Sequence, residues 1–192
     1  MSLKRAVLLF GGYGTGKTLT CVITGQKALA NGWTFIQVRA GRDDLMHALQ
    51  TARLYQPCLV FFEDVDTVSS GDESNRDQVS LLLDAFDGVQ AKNLAVMTVM
   101  TTNHVNKIHK GMVRPGRLDA VIEMEALDAG AVRDLAVAVL PPNVIGDDID
   151  WSLVEHAMFD YKPAYVTEAL HRAMRFGMAM NKSLEFTLTT AD

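Results

Sequence analysis

The sequence predicts an α/β protein: a helix-flanked parallel sheet over residues 1–126, followed by a small all-helical unit over residues 127–192. Three observations predict it. Short apolar runs alternate with segments of helical periodicity through the first ~125 residues, and that alternation implies parallel pairing through right-handed crossovers. A glycine-rich loop stands between the first apolar run and the first helical segment. Beyond Ala126 only helical periodicity remains.

Residues 5–10, Arg-Ala-Val-Leu-Leu-Phe, form a nearly continuous apolar run, the pattern of a strand buried on both faces. After the loop at 11–16, residues 17–30 carry apolar side chains at helical spacing, and Asn31-Gly32 ends that helix. Residues 33–38 read as a second strand. Residues 43–55 read as a helix with Leu45, Met46, Leu49 and Ala52 on one face, which Leu54 would extend, and Pro57 as the stop. Residues 59–62 are a third strand, an apolar block closed by acids. A helix over 77–86 with Gly88 behind it, a fourth strand over 94–102 and a short fifth over 120–124 follow. The helical unit reads as 129–140, ended by Pro141-Pro142; 151–159, with Asp150 as N-cap; and 163–180, with Pro at the first turn.

Composition narrows the function classes. With 48% hydrophobic and 21% charged residues in a chain of 192, a disordered or collagen-like chain is excluded. No apolar run approaches the roughly 18 residues of a membrane span, and no signal peptide opens the chain. A net charge of −5 argues against a dedicated nucleic-acid binder, which needs a basic face. Cys21 and Cys58 lack a CxxC partner or a histidine at ligand spacing, so they read as buried reduced thiols of a cytoplasmic protein. The five histidines form no zinc-like cluster. Met97, Met100, Met174, Met178 and Met180 fall at core-like positions. The chain starts almost on its first strand, and Thr189-Thr190-Ala191-Asp192 resembles the opening of a capping box. We therefore expect an excised fragment, its helical unit truncated at the C-terminus.

Chemistry enters at Gly11-Gly12-Tyr13-Gly14-Thr15-Gly16-Lys17-Thr18, which matches G-x-x-x-x-G-K-[ST] between a buried strand and an amphipathic helix. The glycines let successive N–H groups converge on phosphate oxygens, and the helix adds its positive end. Lys17 is placed to reach β- and γ-phosphates and the Thr18 hydroxyl to ligate Mg²⁺, with the run of amides extending through Leu19. The loop alone does not separate kinase, GTPase, ATPase and helicase. The third strand ends in Glu63-Asp64, with Asp66 two residues on. Paired carboxylates at the carboxyl edge of such a sheet serve two tasks: one holds Mg²⁺, the other orients the attacking water.

The fourth strand ends in Thr101-Thr102-Asn103, and eleven residues later comes Arg114-Pro115-Gly116-Arg117-Leu118-Asp119. With these residues the chain resembles an AAA+ ATPase of the AAA subgroup from about Lys4 to its end. The resemblance implies a five-stranded parallel-sheet P-loop NTPase domain of RecA-like type with a helical lid, and it implies ATP and Mg²⁺ as ligands. It implies that Asn103 senses the γ-phosphate. It also implies that Arg114 and Arg117 are arginine fingers acting on the neighbouring subunit's nucleotide in a ring homo-oligomer, a hexamer, that remodels a macromolecular client. This fragment is expected to be monomeric if ring contacts lie on missing ends. In the lid, Lys162-Pro163-Ala164-Tyr165 matches loosely, and Ala164 is the residue expected near the nucleotide. Two departures stand out. The family's acids run Asp then Glu, whereas here Glu63 takes the metal-associated place and Asp64 the catalytic one. That leaves two readings open: hydrolysis, or a nucleotide-gated assembly module with little turnover. In addition, residues 39–44 hold no aromatic, so the grip of the protein-threading members is missing. Arg39 and Arg42 there are either pore-lining charges or solvated ones beside Asp43 and Asp44.

Overall fold

The computed structural model describes residues 6–39, 42–66, 95–107, 118–181 and 188. The chain divides into two compact units, one of Met1–Tyr13 with Lys17–Met124, the other of Gly14–Gly16 with Glu125–Asp192. The helix predicted over 77–86, Gly88, Arg114, Arg117 and the tail 189–192 lie outside the described residues.

The described part of the first unit contains β1 (Ala6–Phe10), α1 (Lys17–Ala30), β2 (Thr34–Arg39), α2 (Leu45–Leu54), β3 (Cys58–Glu63), β4 (Val96–Thr102) and β5 (Ala120–Glu123). The strands form one parallel sheet in the order β2-β3-β4-β1-β5. β3 shows why an unbroken apolar run is a central strand: successive side chains point to opposite faces, and both faces are covered. Phe62 and Val60 pack with Leu45, Ala48, Leu49 and Ala52 of α2, while Phe61 and Leu59 pack with Cys21 of α1, Leu9 and Val99. Each such buried phenylalanine contributes on the order of 2 kcal/mol. Cys21 and Cys58 are buried free thiols, pushed up to about 12 and about 11 by desolvation first, with Glu63 adding to the effect at Cys21.

The register sets the functional edge. Phe10 lies beside Thr102, and Arg39 beside Glu63, so β1, β3 and β4 deliver their carboxyl ends to one side of the sheet. Two details differ from the sequence reading. Leu54 is 82% exposed, because the buried face of α2 is Leu45, Ala48, Leu49 and Ala52. Asp43 and Asp44 are committed to local bonds. The Arg39 N–H donates to Asp43 Oδ2 (2.7 Å), and the Met46 and His47 N–H groups donate to Asp44 Oδ1 (2.9 and 3.0 Å), so α2 starts at Leu45.

The second unit holds α3 (Ala129–Val139), a 3₁₀ turn (Pro142–Val144), α4 (Trp151–Met158) and α5 (Pro163–Asn181). Asp128 and Asp150 cap α3 and α4 through backbone N–H groups. Val132, Ala136 and Leu140 meet Val166 and Leu170 in a core closed by Val144 and Leu188. Met174 and Met178 pack against that core, but Met180 is 69% exposed, because it lies on the outer face of α5. Arg172 and Arg175 both pair with Glu168 on that helix.

Candidate active site

β1 releases the chain at Phe10 and α1 collects it at Lys17. The six residues between must turn sharply, and Gly14 and Gly16 do so at φ +82° and +92°. At Gly16 a Cβ would meet nothing within 4 Å, so only the left-handed backbone demands glycine there. At Gly14 space adds to conformation: a Cβ would come within 3.1 Å of the Ala164 Cβ. Both residues belong to the second unit, where the Ala164 N–H donates to the Gly14 carbonyl (3.1 Å).

In the first unit, Lys17 is buried and its Nζ donates to the carbonyls of Gly11 (2.9 Å) and Gly12 (2.8 Å). The ammonium is thus stored on the loop whose amides it accompanies. Thr15 is buried. The Tyr13 ring is exposed and meets His104 edge-on, centroids 6.2 Å apart. Leu19 is 60% exposed, so its side chain points away from the protein and only its backbone is available to the loop.

The two acids at the end of β3 go separate ways. The Thr18 hydroxyl donates to Glu63 Oε1 (3.2 Å). The Asn103 Nδ2 donates to Asp64 Oδ1 (3.1 Å). Asp64 sits at φ +52°, a left-handed conformation that aspartate tolerates better than most side chains. Its N–H donates to the Thr101 hydroxyl (3.1 Å). Burial raises the Asp64 carboxyl above the ordinary aspartate range, Asp66 and Glu63 push it further, and Lys17 and the Asn103 amide oppose them.

Asp66, only noted in passing from the sequence, braces this edge. It is 5% exposed and accepts from the Thr102 hydroxyl (2.9 Å) and the Asn103 N–H (3.4 Å), which holds Asn103 toward Asp64. The available signal was the Asp64-Val65-Asp66 spacing around a buried Val65. Asp119, last residue of the double-arginine segment, is tied to the start of β1. The Ala6 N–H donates to its Oδ2 (3.0 Å), and its own N–H donates to the Ala6 carbonyl (2.9 Å). Thr18 and Glu63 offer only hard oxygen donors a hydrogen bond apart, a set that fits Mg²⁺. Among the described residues no group of three His, Cys, Asp or Glu side chains is placed to hold a metal by itself.

The profile of the ATPase family associated with various cellular activities (AAA) matches residues 7–126. An ATP-dependent zinc metalloprotease FtsH from Cupriavidus metallidurans is 25% identical over 94% of this chain and 30% of its own length. A protein of the same description from Thermus thermophilus is 26% identical over 79% of this chain and 27% of its own. A putative cell division cycle ATPase from Plasmodium falciparum is 25% identical over 77% of this chain and 13% of its own. The chain therefore spans less than a third of the length of these relatives.

Proposed function

The chain belongs to the AAA family of ATPases, and from that premise we propose that it is an ATP-hydrolysing enzyme whose residues divide the work as follows. The loop amides from Gly11 to Leu19 receive the triphosphate. Lys17 leaves the Gly11 and Gly12 carbonyls for the β- and γ-phosphates, exchanging two neutral acceptors for charged ones. Thr18 and Glu63 are the residues that would hold Mg²⁺, Asp64 contributing from the adjacent position. Bound there, the ion neutralises charge between the β- and γ-phosphates.

The observation that carries this reading is the parting of the two carboxylates. Glu63 is engaged by the helix that begins at the loop, Asp64 by the asparagine that follows β4. A metal-associated acid and a water-orienting acid need just that separation. Asp64, its affinity for protons raised, accepts hydrogen bonding from the attacking water, and Asn103 holds both the carboxylate and the γ-phosphate side of that water. Arg114 and Arg117, on the strength of the family resemblance, complete the site of an adjoining copy in a hexameric ring, with the helical unit acting as lid and Ala164 near the nucleotide. Remodelling of a macromolecular client is the proposed output. The zinc protease activity in the FtsH name belongs to those relatives and is not carried over.

Single-turnover phosphate release at high protein concentration tests the reading. Release from the unsubstituted chain, lost in Asp64→Ala while ATP still binds, supports hydrolysis at this site. Tight ATP binding without release identifies the assembly module instead.

A further inference from the structure

Glu63 is longer by one methylene than the aspartate that its place in the pattern leads one to expect, and its neighbours on β2 suit the longer side chain. Gln37 and Arg39 lie on one face of β2, at the period of two, and β2 pairs with β3 so that Arg39 lies beside Glu63 and Gln37 beside Phe61. Directly opposite and diagonal positions are both within reach of long side chains. Gln37 Nε2 donates to Glu63 Oε2 at 3.4 Å, and Arg39 Nε stands 3.7 Å from the same oxygen. The other oxygen, Oε1, accepts from the Thr18 hydroxyl. The carboxylate is therefore held from two sides, by β2 through one oxygen and by α1 through the other. The Arg39 backbone is itself fixed, since its N–H donates to Asp43 Oδ2 and its carbonyl accepts from the N–H groups of Arg42 and Asp43.

We propose that Gln37 and Arg39 are positioning residues for Glu63: they turn its Oε1 toward Thr18 and so fit a glutamate to the metal place of the site. An aspartate at 63, one methylene shorter, cannot span both sets of partners. This inference rests on the functional reading above, in which Thr18 and Glu63 hold Mg²⁺.

The test is calorimetric ATP titration with magnesium and with a chelator, taking the ratio of the two affinities as the gain that the metal confers. In Gln37→Ala/Arg39→Ala that gain should fall roughly tenfold, the lower end of what removing partners of a metal-holding residue costs. Affinity in chelator should not change. In a Glu63→Asp background the same two substitutions should leave the gain as it is, and Arg39→Lys with Gln37 intact should keep most of it. Gln37→Ala alone, at an exposed position, should show the same sign at smaller size. An unchanged gain in the double variant, or an equal loss in the Glu63→Asp background, overturns the proposal while leaving the ATPase reading in place. No magnesium-dependent gain in the unsubstituted chain overturns both.

Discussion

At the scale of single residues, the inverted acid pair follows from two local demands. Position 64 sits at φ +52°, where aspartate is tolerated and glutamate is not favoured. Position 63 faces partners on both β2 and α1, which glutamate spans. Asp64 also carries a pH signature. Its carboxyl is raised by burial, then by Asp66 and Glu63. A raised carboxyl contributes stability fully present below its unfolded value and lost as pH rises through its folded value, so ionised Asp64 opposes folding at neutral pH. Asp64→Asn should therefore melt higher than the unsubstituted chain at pH 7, and the gap should close as pH falls through the raised value; thermal melts across pH check this. The same substitution should slow phosphate release roughly hundredfold or more. In the unsubstituted enzyme the acid limb of the rate should lie above the ordinary aspartate range. Lower melting of Asp64→Asn at pH 7 would contradict a carboxyl raised by burial and by its acidic neighbours.

At the scale of elements, what was legible was what periodicity and end signals encode. Lys17–Ala30 was read to the residue because the loop fixes its start and Asn31-Gly32 its end. The block 59–62 announced a buried strand, and Asp150 its helix. Leu54 falls off the apolar face because it stands two residues past Ala52, about 200° round the helix, and is exposed. The role of Asp44 was hidden because a charge next to Asp43 and Arg42 reads as solvated until the chain's turn is known. Asp44→Ala should cost about 1 kcal/mol and lower the melting midpoint by about 2–4 °C. Gly25 is another case that a sequence hides. In the middle of α1 it should be improved by alanine, by about 1 kcal/mol on propensity alone. However, a Cβ would come within 2.8 Å of the Phe35 ring. Overpacking costs typically about 1–3 kcal/mol, so Gly25→Ala should destabilise. Gly25→Ala in a Phe35→Leu background should lose most of that penalty, which denaturant melts of the four proteins would measure.

At the scale of the whole molecule, the residues of chemistry come from segments far apart in sequence: the loop after β1, the acids at the end of β3 and the asparagine after β4. Their convergence was legible because a parallel sheet sends every carboxyl end to one edge. The brace supplied by Asp66 and the hold of β2 on Glu63 were not, since they depend on register. Among the described residues no helix is long and apolar enough to cross a membrane. The proposed ring makes its own prediction. Arg114→Ala and Lys17→Ala proteins, each impaired alone, should recover part of their hydrolysis when mixed, because one supplies intact loops and the other intact arginines. Full activity of Arg114→Ala alone, with no gain on mixing, would contradict assistance in trans. The central claim, that a triphosphate seats on the amides around Lys17, meets its most direct test in calorimetric titration of ATP into the chain and into Lys17→Ala. The account predicts saturable binding of one nucleotide per chain, weakened roughly tenfold or more by the substitution. Absence of saturable heat from a natively folded chain, or equal affinity in the two proteins, would contradict it.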